Sequence, residues 1–476
     1  MKIKELINKW KPIKRYVVLI SFILSFTTFA LVLWVILLQR NLHLFKWNPS
    51  QAKTFLIICL VAVIIPLGFI SDFVIRLKKL KIPKKIPGKY IYVIVLAGII
   101  LTGAYIVYLK PYHHVGDKAP ELMIIDQPGI SGYPNLAVIF YTQKASTNYL
   151  TFGSTSEMTI RLNEQQKTKI HVFVLEDLVA DTQYFYQING EGTVYNFTYF
   201  PSSTDNLRFA VSSDPHIGAE DNNITATKLI LEQISSPDNG YSAFFCLGDI
   251  VEMGNDDSQY KEQIDFFSKY TTLIPYRNVI GNHDGWFGGV DFWKEYFYPK
   301  KAPNNSSDSQ LWHQYDFGPN IHVFTLDLEW GTETYTKAQQ EWFENRLKTL
   351  NPDDWIIIMN HAYYYASSTE YDGVPWYDNQ DMINTFHDLF LENGVDLVFS
   401  GHDHQMEHIN QDGVNYFIVG TMGGILDLDP TYFTENSLFF DNTHFGFADL
   451  QFNDGNITVS FRTPENRLLY EITIQQ

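Results

Sequence analysis

The stretch Phe399-Ser-Gly-His-Asp-His404 decides the interpretation of this chain. It lies at the end of an apolar run, Val395-Asp-Leu-Val-Phe-Ser400, of the kind that forms a buried strand. Side chains at positions i and i+2 of an extended segment lie on the same face. His402 and His404 are therefore predicted to point into one small volume. Two histidines alone are weak evidence, because paired histidines are common on protein surfaces, but four other predicted strands end in a similar way.

From Leu207 onward, predicted strands alternate with helical segments, which indicates an α/β layered fold with a largely buried sheet. The predicted strands cover residues 208–213, 241–247, 277–280, 320–326, 355–359, 395–399 and 416–419. The predicted helices cover residues 225–235, 258–270, 336–350 and 381–392. Five of these strands run directly into polar residues, which are Asp214-Pro-His216, Gly248-Asp249, Gly281-Asn-His-Asp284, Asn360-His361 and Gly401-His-Asp-His404.

The polar strand ends are predicted to meet, because sites in open α/β sheets collect beyond the carboxyl ends of the strands. Gly248, Gly281 and Gly401 are expected to allow sharp backbone turns there. The polar residues are carboxylates, imidazoles and one amide, which suit divalent or trivalent first-row metals. Leaving His283 aside, the candidate ligands outnumber those of one tetrahedral site and suit two ions that share a carboxylate. Two ions about 3.5–4 Å apart clamp a phosphate and lower the pKa of a bound water.

The five blocks, in this order, resemble the calcineurin-like metallophosphoesterase superfamily over roughly residues 205–465. The resemblance implies two metal sites that share Asp249. One is formed by Asp214, His216, Asp249 and His404, and the other by Asp249, Asn282, His361 and His402. It also implies that metal-bound water attacks the phosphate and that His283 protonates the leaving oxygen, with Asp284 orienting its ring.

A β-rich region precedes this part of the chain. Short β-branched and aromatic runs at residues 135–142, 149–152, 169–174, 184–188 and 194–200 predict an all-β sandwich. The segment 178–186 resembles a turn of fibronectin-type-III-like domains, with Ala180 where proline is usual. The region is interpreted as a spacer. The order of the two regions, over residues 119–465, resembles the purple acid phosphatase branch of the superfamily.

One position departs from that branch. Purple acid phosphatases carry an iron-ligating tyrosine three residues after the bridging aspartate, and this chain has Glu252 there. The resemblance therefore implies two ions of Fe, Mn or Zn without an Fe(III)–tyrosinate centre. Glu252 is either a partner behind the ligands or an ordinary acidic loop residue, and the second interpretation is preferred.

The amino-terminal part differs in composition from the rest. The first 116 residues carry 17 Lys and Arg and two acidic residues, whereas the remainder carries 18 and 51. Three apolar runs, at residues 16–38, 54–75 and 91–109, approach the ~20 residues needed to cross a bilayer as a helix. The distribution of basic loops predicts a multi-pass cell-membrane protein with a cytoplasmic amino terminus and an extracellular catalytic domain. The bilayer is thus a predicted partner, and the acidic excess argues against nucleic acid.

Three domains are predicted: a membrane anchor (1–116), a fibronectin-type-III-like sandwich (117–202) and a metallophosphoesterase domain (203–476). The leading function is hydrolysis of phosphate esters at two metal ions. A phosphodiesterase at the same site and a non-catalytic, metal-containing receptor are the alternatives. Aromatic residues follow the ligand-bearing loops and either stack on a leaving group or pack together. These are Trp286, Tyr363, Tyr364, Tyr365, Tyr371 and Trp376.

Overall fold

The computed structural model describes residues 120–297, 309–371 and 374–475. The strands in these ranges are β1 (Glu121–Pro128), β2 (Pro134–Ser146), β3 (Tyr149–Gly153), β4 (Ile160–Asn163), β5 (Thr168–Leu175), β6 (Gln183–Ile188), β7 (Tyr195–Thr198), β8 (Arg208–Ser212), β9 (Ala243–Cys246), β10 (Tyr276–Asn278), β11 (His313–Asp316), β12 (Ile321–Thr325), β13 (Trp355–Met359), β14 (Glu370–Tyr371), β15 (Val374–Pro375), β16 (Leu397–Ser400), β17 (Met406–Gln411), β18 (Val414–Val419), β19 (Ser437–Asp441), β20 (Phe447–Asn453), β21 (Asn456–Arg462) and β22 (Leu468–Gln475). The helices are α1 (Ile224–Ser235), α2 (Asp257–Thr271), α3 (Asn282–Gly285), α4 (Val290–Phe297), α5 (Lys337–Leu347) and α6 (Gln380–Glu392).

Two large sheets form the centre of the fold. The first has the order β22-β21-β20-β8-β9-β10-β1-β2-β5, and the second has the order β11-β12-β13-β16-β18-β17-β19. Strands β8, β9 and β10 of the first sheet are parallel, as are β12, β13, β16 and β18 of the second. The α/β layered architecture predicted from the sequence is therefore confirmed.

Residues alternate between layers along these strands. Phe209 and Val211 of β8 lie in the core between the two sheets, whereas Ala210 packs with apolar residues of α1 and α2. In the second sheet, Ile357 of β13 joins the same inner core and Ile358 packs with α5 and α6. Burying one large apolar side chain contributes roughly 1.5–3 kcal/mol. Apolar residues on both faces of these strands thus produce a sandwich with helices on both outer sides.

The amino-terminal strands are divided between two sheets. Strands β1, β2 and β5 extend the first sheet, because β1 pairs in parallel with β10, with Met123 opposite Tyr276. The other four strands form a separate sheet in the order β4-β3-β6-β7. Pairing with β1 satisfies backbone groups that β10 would otherwise present at a sheet edge. The fibronectin-type-III-like assignment is not confirmed, and the boundary between residues 202 and 203 stays a prediction.

The predicted localisation needs correction. No helix within residues 120–297, 309–371 and 374–475 is long and apolar enough to cross a bilayer. The described part of the chain thus gives no support to a multi-pass cell-membrane protein with an extracellular catalytic domain, and that prediction is withdrawn. The three apolar runs on which it rested, at residues 16–38, 54–75 and 91–109, lie outside the described residues.

Candidate metal centre

The polar residues predicted to meet do meet, at the carboxyl ends of parallel strands in both sheets. Asp214 follows β8 and Asp249 follows β9, and both strands belong to the first sheet. His361 follows β13 and His402 follows β16, both in the second sheet. The donor atoms of these residues fall into two groups.

The first group consists of Asp214, His216 and His404. The Nε2 atoms of the two histidines are 3.1 Å apart. Oδ1 of Asp214 lies 3.6 Å from Nε2 of His216 and 3.4 Å from Nε2 of His404. Three ligand-type atoms from two strand ends therefore converge on one point.

The second group consists of Asp249, Asn282, His361 and His402. Oδ1 of Asn282 lies 2.9 Å from Nε2 of His361 and 2.8 Å from Nδ1 of His402. Oδ2 of Asp249 is 3.4 Å from Nε2 of His361. The same Oδ2 atom is 3.7 Å from Nε2 of His216 in the first group, so this carboxylate lies between the two groups.

Hydrogen bonds behind the rings orient these histidines. Nδ1–H of His361 donates to the carbonyl oxygen of Leu247 at 2.8 Å, and Nδ1–H of His404 donates to the carbonyl oxygen of Ile425 at 2.5 Å. A neutral imidazole that donates through Nδ1 has a lone pair on Nε2. In both residues Nε2 is the atom that faces the centre, which is the arrangement of histidines that ligate metals.

The backbone is strained at the centre. Asp214, His216, Asp249 and His402 have φ values of 61°, 45°, 47° and 71°, in the left-handed region that non-glycine residues seldom occupy. Each such residue costs on the order of 1–2 kcal/mol, and such strain concentrates at functional sites. The surrounding sandwich core stabilises the fold enough to hold these four side chains in place.

The three glycines predicted to allow sharp turns have two different roles. Gly248 has a φ of 102° and does turn the chain as expected. A Cβ atom on Gly281 would lie 2.2 Å from the backbone nitrogen of Asp249, and one on Gly401 would lie 2.1 Å from Oγ of Ser213. These two glycines are therefore required for close approach of neighbouring loops rather than for a special φ value.

The groups influence one another electrostatically. Burial alone would raise the pKa of Asp214, but His361, His216 and His404 hold it well below its usual value. Burial would also raise the pKa of Asp249, but the charges of His361 and His283 lower it below its usual value. Burial lowers the pKa of His361, but Asp249 and Asp214 raise it to about 9. The neighbouring imidazoles thus favour the ionised form of both carboxylates.

His283 lies beside both groups, but its partner is not the predicted one. Nδ1–H of its ring donates to the carbonyl oxygen of Glu252 at 2.9 Å, and Oε2 of Glu252 is 3.4 Å away. The same carboxylate oxygen accepts from Nδ1–H of His216 at 2.8 Å. Glu252 is therefore the carboxylate behind the site, and the preferred interpretation of it as an ordinary loop residue is wrong. Its position three residues after Asp249 was the signal in the sequence.

Asp284 has a different environment from the one predicted. Its carboxylate accepts hydrogen bonds from the backbone N–H groups of Ile250, Val251 and Gly281, at 2.9–3.2 Å. Burial, followed by the charge of Asp249, raises the pKa of Asp284 to about 7. These contacts join the loops after β9 and β10, so Asp284 positions the loop that carries His283 and does not contact its ring.

The donor set fits metal ions. Oδ1 of Asp214 is completely buried and accepts no hydrogen bond within the described residues. An unsatisfied buried carboxylate oxygen is costly unless a cation neutralises it. Two imidazole nitrogens and this oxygen point at the same place, and nitrogen and oxygen donors without thiolates suit Fe, Mn and Zn. The residues of both groups can therefore hold cations at two neighbouring positions.

Comparison with known proteins agrees with this geometry. Residues 207–406 match the family model of the calcineurin-like phosphoesterases. These residues form a calcineurin-like phosphoesterase domain. The matched segment contains every residue of the two groups, since it runs from the beginning of β8 to the beginning of β17.

Individual relatives extend the match on the amino-terminal side. Purple acid phosphatase 18 of Arabidopsis thaliana is 23% identical over 316 residues, which are 62% of this chain and 68% of the relative. The Fe(3+)-Zn(2+) purple acid phosphatase 12 of the same plant is 24% identical over 255 residues, 50% of this chain and 52% of the relative. The structure of purple acid phosphatase PPD1 from yellow lupin seeds superposes with a TM-score of 0.62 at 17% identity, covering 76% of this chain and 74% of the lupin chain. The family match and the two relatives confirm the predicted enzyme class, a metal-dependent phosphoester hydrolase, and the lupin structure shows a shared fold.

Proposed function

We propose that this chain hydrolyses phosphate esters at a pair of metal ions held between the two large sheets. The observation that carries the proposal is the convergence of two sets of metal-type donor atoms on either side of Asp249. The proposed ligands are Asp214, His216, Asp249, Asn282, His361, His402 and His404. Oδ1 of Asp214 is buried without a hydrogen bond and lies within 3.6 Å of two imidazole nitrogens, which is the environment of a cation ligand.

The proposed division of ligands follows the two groups. Asp214, His216 and His404 would hold one ion, Asn282, His361 and His402 would hold the other, and Asp249 lies where it could serve both. When bound, the two ions neutralise charge on the phosphate oxygens and activate water for attack. The protein fixes the orientation of the His216 ring through a carboxylate, and it fixes the rings of His361 and His404 through backbone carbonyl oxygens.

His283 is proposed as the general acid. Its Nε2 atom is 3.9 Å from Oδ2 of the bridging Asp249, so it faces the place where a bound phosphate would lie. Its Nδ1–H group donates to the backbone carbonyl oxygen of Glu252, and Oε2 of the same residue lies 3.4 Å from Nδ1. A protonated imidazole can stabilise charge on the phosphate and then donate its proton to the leaving oxygen.

The metal pair is proposed to contain Fe, Mn or Zn, without a tyrosinate ligand. Support comes from Glu252, whose carboxylate binds Nδ1 of His216 at the position where purple acid phosphatases have their tyrosine. A visible charge-transfer band in the purified protein, lost on reduction, would contradict this part of the proposal.

The direct test is hydrolysis by the purified full chain. We expect release of nitrophenol from 4-nitrophenyl phosphate after reconstitution with Mn²⁺, Zn²⁺ or Fe, and loss of that activity with a chelator. Comparison with bis(4-nitrophenyl) phosphate distinguishes a phosphatase from a phosphodiesterase. Metal binding at a stoichiometry near two without hydrolysis of either ester would instead favour a metal-containing receptor.

A further inference from the structure

An aromatic cluster surrounds one proposed ligand, His402. The Trp376 ring lies nearly parallel to the imidazole, with centroids 5.3 Å apart and an interplanar angle of 11°. The Trp330 ring meets it edge-on at 5.1 Å and 72°, and the ring of Tyr363 is nearly parallel at 5.7 Å and 19°. The two indoles contact each other at 6.1 Å. We call Trp330 and Trp376 the tryptophan pair.

The fold holds the tryptophan pair in place from two sides. The backbone N–H of Trp376 donates to the carbonyl oxygen of Thr369 at 3.1 Å, next to the short ribbon of β14 and β15. The carbonyl oxygen of Trp330 accepts from Nδ2 of Asn379 at 3.4 Å. Asn379 also caps helix α6, where its Oδ1 accepts from the backbone of Met382. The pair is therefore part of the scaffold and is positioned before any ligand arrives.

The pair is only half-buried, unlike the other tryptophans that pack in the core. Trp293 and Trp286 are 0% and 3% exposed, whereas Trp330 and Trp376 have intermediate exposure. Apolar side chains near the centre are also exposed, with Val374 at 59% and Ile425 at 55%. Val374 lies two residues from Trp376, and the carbonyl of Ile425 holds the ring of His404. Accessible apolar surface thus borders a strongly polar centre.

We propose that the tryptophan pair is a subsite for a planar aromatic ring in the leaving group of the phosphoester. This inference rests on the proposed function, because it places the phosphate at the metal centre and the organic part against the indoles. Indole rings bind flat π-systems by stacking and lose little conformational entropy in doing so. An aliphatic or sugar leaving group offers no flat face and gains less. The substrate class is therefore a nucleoside or aryl phosphate.

The test uses substrate pairs that share the same kind of leaving oxygen and differ in the ring. Adenosine 5′-monophosphate and ribose 5-phosphate both release a primary alcohol, as do benzyl phosphate and cyclohexylmethyl phosphate. We expect the wild-type chain to favour the aromatic member of a pair in kcat/KM. Since stacking on one aromatic side chain is worth about 1–3 kcal/mol, Trp376→Leu should reduce that preference by roughly 5- to 150-fold. Trp376→Phe should restore part of it.

The controls separate stacking from damage to the metal centre. Trp342→Leu changes a half-buried tryptophan on α5 that packs against Phe324 and Phe343, and it should leave the preference unchanged. Metal content is measured for every variant. An equal fall for both members of each pair in Trp376→Leu would overturn the subsite, because Trp376 would then act through His402. A wild-type chain without any preference would also overturn it, while hydrolysis of ribose 5-phosphate would leave the proposed function intact.

The two substrate pairs also distinguish a subsite for nucleosides from a subsite for any aromatic ring. A preference confined to adenosine 5′-monophosphate assigns the subsite to nucleosides, and a preference in both pairs assigns it to aromatic rings in general. If none of the four esters is hydrolysed, the subsite for these monoesters is overturned, and the proposed function then fails only if bis(4-nitrophenyl) phosphate is not hydrolysed either.

Discussion

Two buried acidic regions of this protein have opposite properties. In the metal centre, Asp214 and Asp249 are completely or nearly completely buried, yet their pKa values are lowered. Glu121 on β1 is just as buried, but burial raises its pKa to about 8 and a hydrogen bond from Thr271 compensates only in part. The three carboxyl groups are similarly buried, but imidazoles lie beside the two aspartates and neutral side chains lie beside Glu121.

The difference shows what a functional carboxylate requires. Imidazoles with raised pKa values surround the aspartates, so that ionised carboxylates and a later metal ion are both accommodated. Neutral groups surround Glu121, and its Oε1 atom is 3.5 Å from the Thr271 hydroxyl. Desolvation disfavours a charge wherever no partner is present. Burial by itself therefore does not mark a site, whereas burial together with countercharges does.

The largest expected effect comes from removing the shared charge of the centre. Asp249→Asn should abolish retention of both metal ions and reduce activity by more than the about 10–100-fold typical of losing a partner behind a ligand. Metal analysis and 4-nitrophenyl phosphate kinetics measure both quantities. The matched control is Asp238→Asn, an exposed aspartate in a surface turn. If Asp249→Asn retained two ions and wild-type activity, the charge of Asp249 would not be needed for function, and the contrast with Glu121 would not mark a functional site.

The next effect concerns proton donation. His283→Ala should lower kcat by about 10²–10⁴, the usual cost of losing a general acid. Metal content should stay unchanged, because His283 is not among the proposed ligands. His387→Ala on α6, where the half-buried ring contacts Asp412 and Tyr416 away from the metal centre, is the control and should leave kcat unchanged. An unchanged kcat would contradict the role of His283.

A smaller effect is expected for the carboxylate behind the rings. Glu252→Gln keeps an oxygen near His216 and His283 but removes the charge, and it should cost about 10–100-fold in metal affinity or activity. Thermal stability should change little, because the Glu252 carboxylate contacts the rings of His216 and His283 rather than the loop backbone. Asp284→Asn should instead reduce thermal stability and lower the activity less, because its carboxylate holds three backbone N–H groups. The reverse pattern would restore Asp284 as the partner of His283.

The smallest effect is predicted at Glu121, in stability alone. In the folded protein this group stays protonated up to about pH 8, whereas in the unfolded chain it ionises near its ordinary pKa of 4.5. The unfolded state therefore binds fewer protons between these values, and stability falls as pH rises through that window. Glu121→Gln removes this dependence.

Urea unfolding at pH 5 and pH 8 measures that change. At pH 8 the free energy of unfolding of the variant should exceed that of wild type by about 1–2 kcal/mol. A pKa shift corresponds to about 1.36 kcal/mol per unit. The expected difference is smaller than the whole shift would give, because local opening relieves part of the burial. At pH 5 the two proteins should differ little, and their activities should be the same. If the stability of wild type and of Glu121→Gln changed equally between pH 5 and pH 8, burial would not raise the pKa of Glu121, and the contrast with the metal centre would be wrong.

Local patterns were sufficient for most of the catalytic part of the fold. The strand predicted at residues 355–359 coincides with β13, and the helix predicted from Thr336 begins there, with its hydroxyl accepting from the backbone of Gln339. The proposed ligands were found because each follows a recognisable buried strand. Strands β1 and β4 were missed, as were β11, β14, β15, β17 and β19–β22. Strand β4 is short and largely exposed, and β1 has only four consecutive apolar residues, between Glu121 and Asp126.

The sequence alone determined which residues stand at strand ends, because the periodicity of apolar residues is local and the rule for parallel sheets is general. The tertiary structure decided which carboxylate serves which histidine. Glu252 reaches His216 and His283 across loops from different strands, while Asp284, adjacent to His283 in the chain, turns to backbone amides instead. It also decided that β1 joins the catalytic sheet and that Trp330 and Trp376 meet at His402. Such contacts depend on how separate elements pack. The spacing of Glu252 from Asp249 places it near the centre but does not decide which ring it contacts.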